Sequence, residues 1–253
     1  MPNLRIAALC LLLAPGVKGT SVAIMVTRDT ILIASDGIET QTANGRDRFE
    51  PYCKIRNQGR VFYTAAGYHE IPEIHFNLWT LASDAVRESK SVRGICDRIE
   101  RSVLARMPSI VERGKVADPN GYARWLSGIP VILIAFASFE NGAPRVTAVS
   151  FPIDHRGAIM KPVRKTLGGP KVVLDDGFFG YDSRMEEATD RRKEDSWRPR
   201  FKKNPVGFIR GLIQLEIDAA EQEKRNDVGP PILIVKITRN GGVWVPGHKG
   251  ACR

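Results

Sequence analysis

The sequence lacks the features that define several large classes of protein. No stretch of its 253 residues reaches the roughly 18 consecutive apolar residues that a membrane span needs. It contains no P-loop and no dinucleotide-binding fingerprint. Its four histidines show no ligand spacing, and its four cysteines form neither a CxxC pair nor a zinc pattern. These absences predict a protein without a membrane span, a metal or a cofactor.

Cysteine is scarce and unevenly placed. Cys10 lies in an N-terminal segment that is expected to be removed, which leaves three cysteines. An odd number argues against a disulfide framework. We therefore predict that Cys53 and Cys96 are small core residues.

Acidic residues are fewer than basic ones, and the formal net charge is +10. Such a charge suits a nucleic-acid or anionic-surface partner. The basic residues form no single stripe, however, and are densest in residues 184–203, where five acidic residues interrupt them. That mixture is typical of a solvated insertion or mobile loop. No specific nucleic-acid partner is predicted.

The first nineteen residues have the parts of a secretory signal. Arg5 precedes an apolar run at residues 6–14, and the small residues Val17 and Gly19 stand before Thr20. A self-cleaved propeptide, or a segment that stays on the domain, remains an alternative. Both cleavage interpretations place the new N-terminus at Thr20. A genuine signal predicts a periplasmic or secreted protein, and otherwise the protein is cytoplasmic.

The period of the apolar residues changes along the chain between that of strands and that of helices. Strand-type runs, paired as hairpins, occupy residues 21–27 with 30–36, 54–56 with 60–66, 131–137 with 145–151, and 231–238 with 243–245. Helix-type runs occupy residues 71–87, 92–111 and 206–220. Residues 37–52 and 118–128 are predicted loops. Strand and helix runs that separate in this way predict an α+β fold, with one domain over residues 20–253.

Several short segments, in this order, resemble the proteasome β-subunit family. The sequence GTSVA at residues 19–23, followed by ILIASDG at residues 31–37, resembles the start of such a subunit or of its bacterial two-component relative. CKI at residues 53–55 resembles the lysine-bearing strand, and TAAG at residues 64–67 the turn before the first long helix. Residues 229–244 resemble the closing hairpin. The resemblance implies an N-terminal-nucleophile hydrolase fold, a four-layer αββα sandwich of two antiparallel sheets flanked by helices.

The resemblance also implies a catalytic group. Thr20 would be both N-terminus and nucleophile, and its own α-amine, with an ordinary pKa of about 7.7–8.0, would be the base. Lys54 would lower the pKa of that amine, and Asp36 would pair with Lys54 and orient it. Gly67 would supply a backbone N–H to an oxyanion hole.

The chain departs from the family in two places. The family carries a serine in a Ser-Gly turn midway along, but here the matching residues 167–170 read LGGP. The late aspartate is matched only by Asp227, and the serine that should follow it is missing. His69 follows Gly67 closely enough to border the pocket, and a surface position is the favoured alternative. The departures bear on activity more than on the fold.

Three functions follow from the resemblance, and one follows from charge alone. The first is a threonine-type peptidase that cleaves peptide amide bonds. The second is an amidase or acylase for small molecules on the same fold, since the pocket walls set the substrate. The third is a non-catalytic assembly subunit, which a retained Met1 would favour. The fourth is nucleic-acid binding, which would be steeply salt-dependent. The resemblance also implies a homo-oligomeric ring.

Overall fold

Two five-stranded antiparallel sheets form the centre of the protein. The computed structural model describes residues 20–43, 46–168, 177–180, 194–246 and 252. Strands of the first sheet are β1 (Val22–Val26), β2 (Ile31–Ser35), β12 (Gly177–Gly180), β13 (Leu233–Thr238) and β14 (Gly241–Trp244), in the order β12-β1-β2-β13-β14. Strands of the second are β5 (Ile55–Gln58), β6 (Val61–Gly67), β9 (Ile132–Glu140), β10 (Ala143–Phe151) and β11 (Val163–Gly168), in the order β11-β10-β9-β6-β5.

The two sheets pack face to face through their apolar side chains. Val22, Ile24 and Ile33 of β1 and β2 lie in one buried cluster with residues of β5, β6, β9 and β10. The alternate residues of the same strands, such as Met25 and Leu32, point the other way, into a separate cluster. Because side chains alternate along a strand, a strand buried on both faces must be apolar at every position. This explains the unbroken apolar runs of the first hairpin.

Helices cover both outer faces of the sheet pair. The second sheet carries α1 (Leu78–Arg87), α2 (Val92–Leu104), α3 (Met107–Ala117) and α4 (Pro119–Leu126). The first sheet carries α5 (Glu194–Lys203) and α6 (Pro205–Gln222). The predicted α+β, four-layer αββα sandwich is confirmed. None of the helices in the described part of the chain has the length and apolar character to cross a bilayer.

The predicted hairpins at residues 21–36, 54–66, 131–151 and 231–245 are all present. The loop predicted at residues 37–52 is wrong, because these residues form a hairpin of β3 (Ile38–Ala43) and β4 (Arg46–Pro51). Among the described strands, β3 and β4 pair with each other and with no other strand. The sequence of this hairpin therefore lacks the apolar runs that mark the central strands.

The helical predictions need three corrections. The first helix begins at Leu78, after short strands β7 (Glu70–Ile71) and β8 (Phe76–Asn77), and the Asn77 side chain caps it by accepting the Thr80 N–H. The long run at residues 92–111 breaks into α2 and α3 just before Pro108, which lacks the N–H that a continuous helix needs. The loop predicted at residues 118–128 is the helix α4, which Asp118 caps.

The expected insertion at residues 184–203 lies partly outside the described residues. Its last ten residues form the helix α5, so a loop is wrong for that part. Phe201 of this helix is buried beside α6. The predicted N-terminal signal at residues 1–19 lies wholly outside the described residues.

The prediction for Cys53 is wrong, whereas that for Cys96 is confirmed. Cys53 and Cys252 form a disulfide with their Cα atoms 5.0 Å apart. Cys96 is a free, fully buried thiol in the core under α2. Sequence spacing could not show the pairing, because 199 positions separate the two cysteines and only the fold brings them together.

Candidate active site

Asp36 is the centre of a buried polar group at the end of β2. Its side chain is wholly inaccessible to solvent. Oδ1 accepts the Ser21 N–H at 2.9 Å, and Oδ2 accepts the Ile38 N–H at 3.3 Å. The Asp36 N–H in turn donates to the Ser21 carbonyl at 3.1 Å. The carboxylate is thus fixed by backbone groups of its own segment and of the residue after Thr20.

Lys54 lies directly before the edge strand β5 and reaches into the same group. Its Nζ is 2.9 Å from each carboxylate oxygen of Asp36. It also donates to Oγ1 of Thr20 at 3.3 Å. The side chain is only 3% exposed. These three contacts match the three donors of an ammonium group, so Lys54 is held in one orientation.

Burial and charge act in opposite directions on Asp36. Complete burial raises the pKa of Asp36 above its ordinary value, while the Lys54 ammonium and the N–H groups of Ser21 and Ile38 oppose that shift. A buried charge without a partner is costly, so each member of the pair needs the other. The arrangement places a cation, shielded from water, beside a hydroxyl.

Thr20 is half-buried and lies two residues before β1, with Ser21 between them. Because β1 lies between β2 and β12, the sheet fixes the backbone that follows Thr20. The predicted pairing of Asp36 and Lys54, facing Thr20, is what the structure contains. The catalytic role of these residues stays a prediction.

Gly67, the fourth predicted site residue, ends β6 with φ 83°. A Cβ at this position would run into the carbonyl oxygen of Val131, so only glycine fits. No hydrogen bond among the described residues joins Gly67 to Thr20, Asp36 or Lys54. The structure thus brings three of the four residues together, and the oxyanion role of Gly67 stays a prediction.

Gly37 was not among the predicted site residues, but it supports the site because its backbone bonds two other segments to the residue after Asp36. The Gly37 N–H donates to the Gly229 carbonyl at 3.0 Å, and the Gly37 carbonyl accepts the Tyr52 N–H at 2.8 Å. A Cβ on Gly37 would collide with the Pro231 carbonyl. An Asp-Gly dipeptide is also typical of an ordinary turn, but here glycine allows two other segments to approach the residue after Asp36.

A second polar group flanks the first. Nε2 of His69 lies 2.6 Å from Oε1 of Glu39. The centroid of the His69 ring lies 5.8 Å from that of Tyr52 and 5.5 Å from that of Trp79. The His69 side chain is 18% exposed, so the predicted surface position is wrong. The guanidinium of Arg56 stacks over Trp79 at 4.7 Å. Tyr52 and Arg56 flank Lys54 in sequence, so this group borders the segment that carries the lysine.

Two further positions belong to the segments where the sequence departs from the family pattern. Asp227 is buried, and its Oδ2 is 3.4 Å from Nη1 of Arg225. Thr166, beside the missing family serine, contacts the Thr147 hydroxyl at 3.1 Å across β10 and β11. Residues 169–170 lie outside the described residues. The described part of the chain contains no group of three or more His, Cys, Asp or Glu side chains that could hold a metal ion.

Comparison with known proteins gives distant structural similarities. No protein-family model matches the chain, and no curated protein matches it. It is similar to a mutant of Anbu from Hyphomicrobium sp. strain MC1, with 16% identity and a TM-score of 0.48 over 90% of this chain and 86% of that one. It is also similar to Anbu from Pseudomonas aeruginosa, solved as a helical assembly, with 14% identity and a TM-score of 0.47 over 89% and 86%. Eukaryotic HslV from Trypanosoma brucei gives 13% identity and a TM-score of 0.40 over 86% and 99%. Function is therefore argued from the site itself.

Proposed function

We propose that the protein is a threonine-type N-terminal-nucleophile hydrolase that cleaves amide bonds after removal of residues 1–19. One observation carries the proposal: Nζ of Lys54, fixed by both oxygens of Asp36 at 2.9 Å, lies 3.3 Å from Oγ1 of Thr20. A buried ion pair beside a hydroxyl group near the start of a strand contributes little to apolar packing. It is suited to activating that hydroxyl.

The reaction begins with the freed α-amine of Thr20. In its neutral form the amine accepts the Oγ1 proton while the oxygen attacks the amide carbonyl. The nearby Lys54 ammonium favours the neutral amine and stabilises negative charge that develops on Oγ1. The C–N bond then breaks, the leaving amine takes the proton, and Thr20 holds the acyl group as an ester. Water hydrolyses that ester and regenerates the threonine. The steps require no metal or organic cofactor.

The substrate we propose is a peptide. Small-molecule amides and a non-catalytic assembly subunit are outcomes of the test below, since Thr20, Asp36 and Lys54 alone do not discriminate between peptide and small amide. We also propose export from the cytoplasm. The Cys53–Cys252 disulfide supports an oxidising compartment, because disulfides persist there and are rare in the cytosol.

The test uses the full chain and starts with the N-terminus of the purified protein. Intact mass should give a chain that begins at Thr20. That form should react with a β-lactone at Thr20 and cleave members of a fluorogenic peptide panel. Thr20→Ala should lose both activities by at least about a thousandfold. Thr20→Ser should keep part of the rate, since a hydroxyl remains.

Thr30→Ala is the matched control, because Thr30 lies in the same hairpin at the far turn from Asp36. It should label and cleave like wild type. An active chain that retains residues 1–19 would refute the mechanism. Turnover of simple amides without peptides would favour the amidase. A chain with a free Thr20 that neither labels nor turns over any substrate would favour the non-catalytic subunit.

A further inference from the structure

A covalent link joins the chain end to the segment that carries Lys54. Cys53 directly precedes Lys54, and it is bonded to Cys252, the penultimate residue. Both cysteines pack at the rim of the core between the two sheets, as does Trp244 of β14. The disulfide thus lies beside the candidate site. It connects the edge strand of one sheet to the chain that follows the edge strand of the other.

Lys54 has little secondary structure of its own to hold it. The ladder between β5 and β6 starts at Ile55, which pairs with Thr64, so Lys54 lies just outside it. On the N-terminal side, the segment is tied by the Tyr52 N–H to the Gly37 carbonyl. Since β5 is the edge strand of its sheet, none of the described strands supports its outer side. Between Tyr52 and Ile55 two side chains fix the segment: Lys54 through its bonds to Asp36 and Thr20, and Cys53 through the disulfide.

We propose that the Cys53–Cys252 disulfide is a positioning element that holds Lys54 against Asp36 and Thr20, and that a dithiol reductant switches the site off by opening it. For its effect on rate, this inference rests on the proposed function. The reduction is balanced. The dithiol gives two electrons and two protons, becomes a disulfide itself, and leaves two thiols at Cys53 and Cys252.

The geometry explains why opening the disulfide should change the contacts of Lys54. The contact between Nζ of Lys54 and Oγ1 of Thr20 is the longest of its three hydrogen bonds, at 3.3 Å. A backbone shift at Cys53 should break this longest hydrogen bond before it breaks the two shorter ones to Asp36. Loss of the link would also admit water to a side chain that is now 3% exposed. Both effects weaken the activation of the hydroxyl while the sheets stay paired.

The experiment measures how well the Lys54 amine is protected. Oxidised wild type, wild type reduced with dithiothreitol, and Cys252→Ser are treated briefly with an N-hydroxysuccinimide ester, and acylation is mapped by mass spectrometry. Exposed Lys236 serves as the internal reference. Cys96→Ala is the matched control, because Cys96 is the buried cysteine outside the disulfide. We expect acylation of Lys54, relative to Lys236, to rise at least tenfold on reduction and in Cys252→Ser, and to stay unchanged in Cys96→Ala.

A second measurement separates local release from unfolding. The buried Cys96 thiol is probed with iodoacetamide in oxidised wild type, reduced wild type and Cys252→Ser, and it should stay unmodified. If Cys96 reacts together with Lys54, opening the disulfide unfolds the protein as a whole, and the proposal is overturned. The proposal is also overturned if Lys54 stays protected after reduction.

Reaction of Thr20 with a β-lactone distinguishes this inference from the proposed function. We expect the acylation rate to fall at least tenfold on reduction. If oxidised protein never labels at Thr20 but Lys54 protection still depends on the disulfide, the hydrolase is refuted and the positioning element stands. If Thr20 labels equally well in both states while Lys54 stays protected, the positioning element is refuted and the hydrolase stands.

Discussion

Replacing Lys54 with methionine removes the ammonium but keeps most of the side chain's volume. The Asp36 carboxylate, which is wholly buried, then loses its one charged partner among the described contacts. Two unit charges 2.9 Å apart attract by about 6 kcal/mol at an effective dielectric constant of about 20. Part of this offsets the cost of burying both charges. Removing one partner of a buried pair typically costs about 3–5 kcal/mol, and we expect Lys54→Met to lose that much unfolding free energy at pH 7.

The loss should depend on pH in a defined direction. Burial already raises the pKa of Asp36 in the folded state, and without Lys54 the main opposing influence is gone. A carboxyl group whose pKa is raised on folding binds more protons in the folded than in the unfolded state. Stability is then greatest below the ordinary carboxyl pKa of about 3.9 and falls as pH rises through the folded-state pKa. The deficit of Lys54→Met relative to wild type should therefore shrink on acidification.

Urea unfolding followed by tryptophan fluorescence, with linear extrapolation to water, measures each free energy. The double variant Asp36→Asn/Lys54→Met is the control, because it buries no charge at either position. It should be at least about 2 kcal/mol more stable than Lys54→Met alone. A deficit below about 1 kcal/mol in the single variant, or a double variant that is no more stable than the single one, would contradict the buried ion pair.

Three further outcomes test other parts of the structure. Cys252→Ser should lower the unfolding free energy, measured in urea, by up to about 5 kcal/mol, since the disulfide closes a loop spanning 199 positions. Burial raises the pKa of Cys96 to about 12, so native protein at pH 8 should show no reaction of this thiol with a disulfide reagent, and prompt reaction would refute its burial. Gly67→Ala should lower the melting temperature more than Gly59→Ala, because both have positive φ but only Gly67 faces a backbone oxygen; equal losses would count against that contact.

The central strands and the site pair were predictable, for two different reasons. Strands such as β1 and β2 are buried on both faces, so their apolar runs are long and clear. Asp36 and Lys54 were placed by resemblance to a family. Nothing in their local sequence separates a buried ion pair from a turn residue and a surface lysine.

Most of the features that escaped prediction have one of two physical causes. Some depend on contacts between segments that are distant in the sequence, and others form on a polar surface. The hairpin of β3 and β4 contributes no apolar runs, so it looked like a loop. The close contact of Pro231 with Gly37 and the pairing of Cys53 with Cys252 each join segments that lie far apart in the sequence. The helix α4 is different, because its start, Asp118 followed by Pro119, is a local signal for a helix N-terminus.

The pairing of β2 with β13 has a consequence for the order in which the protein is made. Ile31 pairs with Ile237, and Gly37 next to Asp36 bonds to Gly229, so the N-terminal hairpin completes its ladder with residues that are synthesised much later. Contacts between such distant segments form late, because the intervening chain must be closed first. The hairpin emerges from the ribosome long before its partner strand does. Thr20 therefore acquires its finished surroundings only after residues 229–237 have been made and have paired with the N-terminal hairpin.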